Sequence, residues 1–242
     1  MIFIKRIKVF LLHGILLTIT GLIIRTISIF FNVYLSNKIG TEGIGIYQLV
    51  MSVYMFSITL ANSGINLATT RIVSEQESFG MNSGIKKAMK KCLCYSLFMG
   101  CLACFLLFSF SSLISTYYLH NQISDTPLRI LAISLPFISL SSCINGYFSA
   151  LRKIKKTVSS QVFEQFLKIS LISFLLNYIL PSGLEYACIS LVLGTSISEV
   201  LSFILLYLQF IQDKRKLTSN SYKDTNYTKQ ILKIALPISF TS

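Results

Sequence analysis

The chain has 242 residues, of which 53% are hydrophobic and only 13% charged, whereas a soluble domain carries about 25% charged residues. Its formal net charge is +13, an excess that in a soluble protein would first indicate nucleic-acid binding. The mean hydropathy of +0.67 argues against that class of partner and indicates a membrane protein.

Six apolar stretches are long enough to cross a bilayer, for which about 20 predominantly apolar residues are needed. They predict an all-α, polytopic membrane protein. The first stretch follows a basic N-terminus, but it is longer than the apolar core of a signal peptide and is therefore predicted to be a retained helix. In chain order, the stretches comprise residues 9–35, 44–68, 92–118, 128–150, 158–181 and 185–211.

The residues beyond the sixth stretch divide into two parts. Residues 213–228 are polar and predict a cytoplasmic linker, whereas residues 229–242 are again largely apolar. Fourteen residues do not cross about 30 Å of hydrocarbon at about 1.5 Å per residue. We therefore expect residues 1–212 to form a six-helix N-terminal lobe, and residues 229–242 to begin a seventh helix of a longer transporter. A tail that lies along the membrane surface is the alternative.

The basic residues fall in every second connection between the apolar stretches. Of the 22 Lys and Arg residues, 18 lie at the N-terminus or after the second, fourth and sixth stretches. Only Lys38 and Arg129 lie in the other connections. Because Lys and Arg are enriched in cytoplasmic loops, this alternation predicts a multi-pass cell-membrane protein with a cytoplasmic N-terminus and no nucleic-acid partner.

Four ionisable residues lie inside the stretches, where a charge is costly and by default indicates function. One interpretation is a polar cavity at the membrane midplane, in which Arg25 and Lys168 bind an anionic head group while Glu164 and Glu199 tune the site or relay protons. The other is that Arg25 pairs with Glu199 and only joins helices. Glu164 and Lys168 are expected to pair as well, because their i, i+4 spacing places them on one helix face. Asn145 in the fourth stretch is a further candidate for substrate binding.

The sequence carries no pattern typical of an enzyme. The six cysteines and two histidines show no spacing that a metal site requires, and no nucleophile stands beside a base. A phosphate-binding loop of the G-x-x-x-x-G-K type is also absent. We predict neither catalytic residues nor a metal or other cofactor.

Several segments together resemble one family of membrane proteins. Residues 21–25 read Gly-Leu-Ile-Ile-Arg, and residues 39–48 read Ile-Gly-Thr-Glu-Gly-Ile-Gly-Ile-Tyr-Gln. The fourth stretch contains Pro136 and the sequence Asn-Gly-Tyr-Phe at 145–148, and residues 235–238 read Ala-Leu-Pro-Ile. In these segments the chain is similar to the stage V sporulation protein B group, which belongs to the polysaccharide-transporter branch of the MATE-like MOP superfamily.

This resemblance implies a fold and a type of activity. Members have two six-helix lobes around a central cavity and move lipid-linked oligosaccharides across the membrane, so this chain would be a MATE-like N-terminal lobe. Arg25 matches a first-helix arginine that related flippases use toward the pyrophosphate of their substrate. The implied partners are a lipid-linked saccharide, the lipid bilayer and a second lobe.

The leading hypothesis is a flippase or exporter of a lipid-linked polysaccharide or peptidoglycan precursor, serving synthesis of the spore envelope and its cortex. One alternative is an ion-coupled antiporter of organic cations, in which Glu164 and Glu199 bind the cation or the coupling proton. Another is a half-transporter that is inactive without a second lobe.

Overall fold

Helices form all of the regular structure in the described part of the chain, as predicted. Apolar segments in a bilayer find no water for their backbone N–H and C=O groups, and a helix pairs these groups within one segment. The computed structural model describes residues 2–62, 64–118, 125–179 and 184–215. The helices are α1 (Ile2–Asn62), α2 (Ile65–Ser78), α3 (Asn82–Tyr117), α4 (Thr126–Ala150), α5 (Ile154–Ile179) and α6 (Leu184–Arg215).

Helix α1 is broken at Gly40 into a first arm, residues 2–39, and a second arm, residues 41–62. Gly40 has φ 82° and ψ 168°, a conformation that a residue without a Cβ adopts at little cost. Ser28 of the first arm and Met51 of the second line the same cavity, although about 34 Å would separate them in a straight helix. The two arms therefore fold back on each other, as the first two apolar stretches require.

Four helical segments among the described residues are long and apolar enough to cross a membrane. The first of them contains the break at Gly40, and α5 is not one of the four. The total of six membrane-spanning helices therefore stays a prediction. The four segments are Gly14–Ser78, Asn82–Tyr117, Thr126–Ala150 and Tyr186–Arg215.

The connection predicted between the second and third apolar stretches is wrong in its extent, because most of it is helical. Helix α2 follows a break at Gly64, and α3 already begins at Asn82. In α2, Ile65 and Ile72 are buried on one face, whereas Arg71 is exposed on the other. Apolar length reveals only the part of a helix that lies in lipid, and an amphipathic stripe continues the helix beyond it.

Two clusters of buried apolar side chains stabilise the bundle at different heights. The first includes Leu131 of α4 and Leu191 of α6, and the second includes Phe148 of α4 and Phe210 of α6. At about 1.5 Å per residue, the nearest members of the two clusters on α4, Leu135 and Cys143, are about 12 Å apart along the helix. The segments of α4 and α6 between the two clusters therefore direct other side chains to the interior of the bundle.

Small residues let the helices approach each other closely. The Ser139 hydroxyl of α4 lies 2.7 Å from the carbonyl oxygen of Ser96 in α3 and 3.1 Å from that of Ala61 in α1. A Cβ atom at Gly146 of α4 would lie 2.6 Å from the backbone carbonyl oxygen of Asn66 in α2. Small side chains and interhelical hydrogen bonds of this kind drive association of helices in membranes.

The end of α6 is held against the turn between α4 and α5. Asp213 is buried, and its carboxylate accepts hydrogen bonds from Lys153 Nζ at 2.6 Å, Lys156 Nζ at 3.1 Å and the Tyr147 hydroxyl at 3.0 Å. Helix α6 thus continues past the predicted start of the cytoplasmic linker. The rest of that linker and the predicted seventh helix lie in residues 216–242, outside the described residues.

Asp213→Asn is expected to lower the free energy of unfolding by about 1–2 kcal/mol, because a neutral amide no longer attracts two ammonium groups. Asp125→Asn is the matched control, since Asp125 pairs with Arg129 at 2.5 Å but its side chain is 26% exposed, against 6% for Asp213. An exposed pair contributes about 0.5 kcal/mol. Unfolding in detergent micelles measures both, and equal losses would contradict the role given to Asp213.

Candidate functional site

A cavity of about 410 Å³ whose walls combine polar and apolar surface lies inside the bundle, and we refer to it as the polar cavity. Helices α1, α2, α4, α5 and α6 all contribute to its walls. Its residues Ser141 on α4 and Glu199 on α6 come between the two apolar clusters, which places the cavity at mid-height. The polar residues that line it are Tyr54, Asn62, Asn66, Ser141, Ser142, Asn145, Gln161, Glu164, Lys168 and Glu199.

Four of the five residues predicted to bind substrate line this cavity. Glu164 and Lys168 come from α5, Glu199 from α6 and Asn145 from α4, so the fold brings together side chains that are distant in the sequence. Arg25 lies elsewhere, on the exposed surface of the first arm of α1. The role of all five in substrate binding stays a prediction.

The carboxylate of Glu199 is held in place by Tyr54, a neutral residue that no motif marks in the sequence. The Tyr54 hydroxyl donates a hydrogen bond to Glu199 Oε2 at 2.5 Å and also contacts the hydroxyl of Ser134. Tyr54 is completely buried. A tyrosine inside an apolar stretch indicates a hydrogen bond to another polar group, because a buried hydroxyl needs a hydrogen-bond partner.

The predicted ion pairs are not formed within the described part of the chain. No ion pair within 4.0 Å joins Glu164 to Lys168. The pairing of Glu199 with Arg25 is absent from the described residues as well. Sequence spacing places Glu164 and Lys168 on one helix face, and both line the polar cavity, but a shared face does not by itself bring the two charged groups into contact. Glu164 and Lys168 therefore line the cavity without an ion pair between them, and Glu199 lines it while it accepts the hydrogen bond from Tyr54.

Two asparagines add polar groups to the same walls. The side-chain carbonyl oxygens of Asn62 and Asn145 are buried and accept no hydrogen bond among the described groups. Buried polar atoms are normally paired, and an unpaired one calls for a water or a ligand group as partner. The polar cavity thus offers charges of both signs, amides and hydroxyls, a set suited to a polar head group rather than to an apolar ligand.

A second, smaller cavity of about 230 Å³ lies between the two arms of α1, and we call it the inter-arm cavity. The side-chain amide of Gln165 donates a hydrogen bond to Ser28 Oγ across it at 3.1 Å. Met51 and Lys168 line both cavities, which therefore adjoin each other. The residues that line the inter-arm cavity are Ser28, Phe31, Asn32, Leu35, Tyr47, Gln48, Met51, Gln165, Lys168 and Ile172.

A third cavity, of about 450 Å³, lies between the second arm of α1 and α3 and has almost entirely apolar walls. It includes Phe56 and Leu60, which lie on the face of the arm opposite to that of Tyr54 and Ile58. Its one serine, Ser57, donates its hydrogen bond to the carbonyl oxygen of Val53. Such walls accommodate hydrocarbon and offer nothing to a charged head group.

Similarity to known proteins identifies the family. A family model described as polysaccharide biosynthesis protein matches residues 11–242. The chain belongs to this family. Stage V sporulation protein B of Bacillus subtilis (strain 168) is 26% identical to the chain over 235 residues, which cover 95% of the chain and 45% of that protein. The predicted family is thereby confirmed.

Two further similar proteins provide information on the fold of this chain and on its length relative to theirs. The lipid II flippase MurJ of Bacillus subtilis (strain 168) is 23% identical over 211 residues, which cover 83% of the chain and 38% of the flippase. A crystal structure of a MATE in complex with Br-NRF superposes with a TM-score of 0.71 at 18% identity, covering 92% of the chain and 51% of the MATE. The MATE-like fold is confirmed, and the chain spans about half the length of the curated relatives it matches.

Proposed function

We propose that this chain forms one lobe of a flippase or exporter for a lipid-linked polysaccharide or peptidoglycan precursor. The polar cavity at mid-height carries the proposal, since a saccharide head group is too polar to cross hydrocarbon without polar partners. Such partners are available in this cavity from Lys168, from the carboxylates of Glu164 and Glu199, and from amides such as that of Asn145. The relatives named as a sporulation protein and as a lipid II flippase support a peptidoglycan-type substrate for the spore envelope and its cortex. The proposed activity involves no catalytic step and no cofactor.

The first arm of α1 supports a second lobe as the partner of this chain. Ile19, Leu22 and Ile23 on that arm are 51–61% exposed, and the exposed Arg25 stands beside them. A cation that faces hydrocarbon is costly. Because the chain spans about half the length of its relatives, we propose that a second lobe faces this arm and that Arg25 lines the space between the lobes. Cross-linking from a cysteine placed at Leu22 to a co-purified lobe tests this arrangement.

The distribution of Lys and Arg residues indicates how the chain is oriented in the cell membrane. The chain is a multi-pass membrane protein, and we propose that its N-terminus is cytoplasmic because 18 of its 22 Lys and Arg residues then lie on that side. Lys153 and Lys156 contact Asp213 at the end of α6. This contact supports the proposal, because the turn after α4 and the end of α6 are predicted to share the cytoplasmic side.

Arg25→Ala is expected to reduce transport at least tenfold, because Arg25 is proposed to bind the phosphates of the substrate as they cross. The assay follows a fluorescent prenyl-pyrophosphate disaccharide in vesicles that contain the chain and any lobe with which it co-purifies. Arg71→Ala is the control, since Arg71 is exposed on α2 outside the cavities. Equal transport by the Arg25→Ala variant and the unaltered chain would contradict the phosphate role, and no transport by either would contradict the flippase proposal.

A second candidate function is an ion-coupled antiporter of organic cations. The observation that favours it is the presence of two carboxylates, Glu164 and Glu199, in one cavity. Dye efflux driven by a proton gradient would distinguish it from a flippase. For an antiporter, we expect Glu199→Gln to abolish efflux that the unaltered chain supports.

A further inference from the structure

Four lysines lie close together near the start of α3, at positions 86, 87, 90 and 91. The lysines that follow α4 contact Asp213, whereas Lys90 and Lys91 are exposed and form no ion pair within 4.0 Å with another described residue. Residues 71–91 contain five cations and two carboxylates. This end of α3 is therefore a positively charged surface, and such a surface attracts anionic groups.

The exposed face of α3 changes from charged to apolar along the helix. Lys91, Phe98 and Phe105 are spaced i, i+7 and i+14, so they share one helix face. The rings of Phe98 and Phe105 are 64% and 70% exposed, whereas Leu107 on the opposite face is buried. We refer to this exposed face as the α3 stripe, and it comprises Lys87, Lys90, Lys91, Phe98 and Phe105. The α3 stripe thus has ammonium groups at one end and apolar rings along the rest.

The length of α3 places these ammonium groups beside the lipid head groups. The 36 residues of the helix span about 54 Å at about 1.5 Å per residue, compared with about 30 Å of hydrocarbon. Tyr117 and Tyr118 at the far end are 76% and 51% exposed, and exposed tyrosines are typical of the interface between membrane and water. The hydrocarbon then ends about 20 residues before Tyr117, near Leu97. Lys91 therefore lies about 9 Å outside the hydrocarbon, at the level of the head groups.

We propose that the α3 stripe binds an anionic phospholipid, whose phosphate contacts Lys90 and Lys91 and whose acyl chains pack along Phe98 and Phe105. An anionic head group is favoured over a zwitterionic one, because the latter carries an ammonium group that the lysines repel. The leaflet at this end of α3 is the one proposed to be cytoplasmic, and that leaflet is rich in anionic lipid. Among the described residues, none of α3 lines the polar cavity, so this lipid site is separate from the site proposed for the transported substrate.

Native mass spectrometry of the chain in detergent tests the lipid site with phosphatidylglycerol and phosphatidylcholine of identical acyl chains. We expect the chain to bind phosphatidylglycerol about tenfold more tightly than phosphatidylcholine. Lys90→Gln combined with Lys91→Gln should weaken binding of phosphatidylglycerol about tenfold, because two ammonium groups beside the phosphate are lost. Lys90→Arg combined with Lys91→Arg should preserve the affinity, because the positive charge is retained.

Lys155→Gln combined with Lys214→Gln is the matched control. Both lysines are exposed and belong to the side proposed to be cytoplasmic, so the two glutamine double variants lose the same charge. The control should weaken binding less than about twofold, because an exposed charge remote from the lipid is screened by salt. Equal affinity of the unaltered chain for the two lipids, or equal losses in the two glutamine double variants, would overturn the lipid site.

The contribution of the apolar part of the α3 stripe is tested with glycerophosphoglycerol, the same head group without acyl chains. We expect it to bind at least about tenfold more weakly than phosphatidylglycerol, because it buries no apolar surface against Phe98 and Phe105. Equal binding of the two compounds would overturn the proposed packing of acyl chains along these rings. A transport assay is not needed for any of these measurements, so their failure would leave the proposed function standing.

Discussion

Gly146→Val is expected to lower the midpoint of thermal unfolding by about 6–12 °C, corresponding to a loss of about 3 kcal/mol from overpacking. A Cβ at Gly146 would lie 2.6 Å from the backbone carbonyl oxygen of Asn66 and 3.0 Å from Cβ of Thr69. Thr69 is completely buried and has no room to move, and the Asn66 carbonyl oxygen is fixed in the backbone of α2. Helix α4 must then separate from α2, which also breaks the hydrogen bond from Thr70 to the Gly146 carbonyl oxygen.

The control for this prediction is Gly21→Val in the first arm of α1. No atom lies within 4 Å of a Cβ built at Gly21, and the change in helix propensity is the same as at Gly146. We therefore expect Gly21→Val to leave the unfolding midpoint within about 2 °C of the original, as is usual for exposed substitutions. Similar midpoints for the two variants would show that close packing at Gly146 contributes nothing.

Tyr54→Phe is expected to reduce the free energy of unfolding by about 2 kcal/mol, since a buried carboxylate loses its donor. The Tyr54 hydroxyl is 2.5 Å from Glu199 Oε2, and phenylalanine keeps the ring but not the hydroxyl. Tyr186→Phe is the matched control, because Tyr186 is 54% exposed and loss of an exposed hydroxyl usually costs little. Denaturant titration of both variants in detergent measures the difference.

A double-mutant cycle shows whether the cost arises from the contact with Glu199. Combining Tyr54→Phe with Glu199→Leu should cost less than the sum of the two single variants, because each removes the same hydrogen bond. We expect a coupling of about 1.5–3 kcal/mol, the usual contribution of a hydrogen bond to a charged group. Additive losses would mean that Tyr54 acts through Ser134 or through packing alone.

The positions of the membrane helices were predictable from the sequence, because a segment in hydrocarbon must pair its own backbone N–H and C=O groups and a helix does so. Long apolar stretches locate the helices that contain Leu107, Leu131 and Leu191, and these leucines lie in the first apolar cluster. Helix ends were less predictable. Helix α2, with buried Ile72, extends through a segment whose hydropathy indicates a connection, because packing of one apolar stripe is enough to extend a helix beyond the lipid.

Charged residues of the candidate site were easier to predict than neutral ones, of which only Asn145 was proposed to bind substrate. Glu164, Lys168 and Glu199 stand out because a charge in an apolar stretch is costly, and all three line the polar cavity. Tyr54 and Gln165 carry no charge and therefore do not stand out in the sequence. A neutral polar residue in a membrane helix either joins two helices or lines a cavity, and its sequence context is the same in both cases.

By itself, the sequence determined that the protein is helical, lies in a membrane and belongs to the family that its motifs resemble, because composition, apolar length and motif spacing are local properties. Only the tertiary structure decided which polar residues share a cavity. The break at Gly40 brings Ser28 toward Gln165, and packing of α1 against α6 brings Tyr54 to Glu199. These contacts join residues more than a hundred positions apart, and no local pattern specifies them.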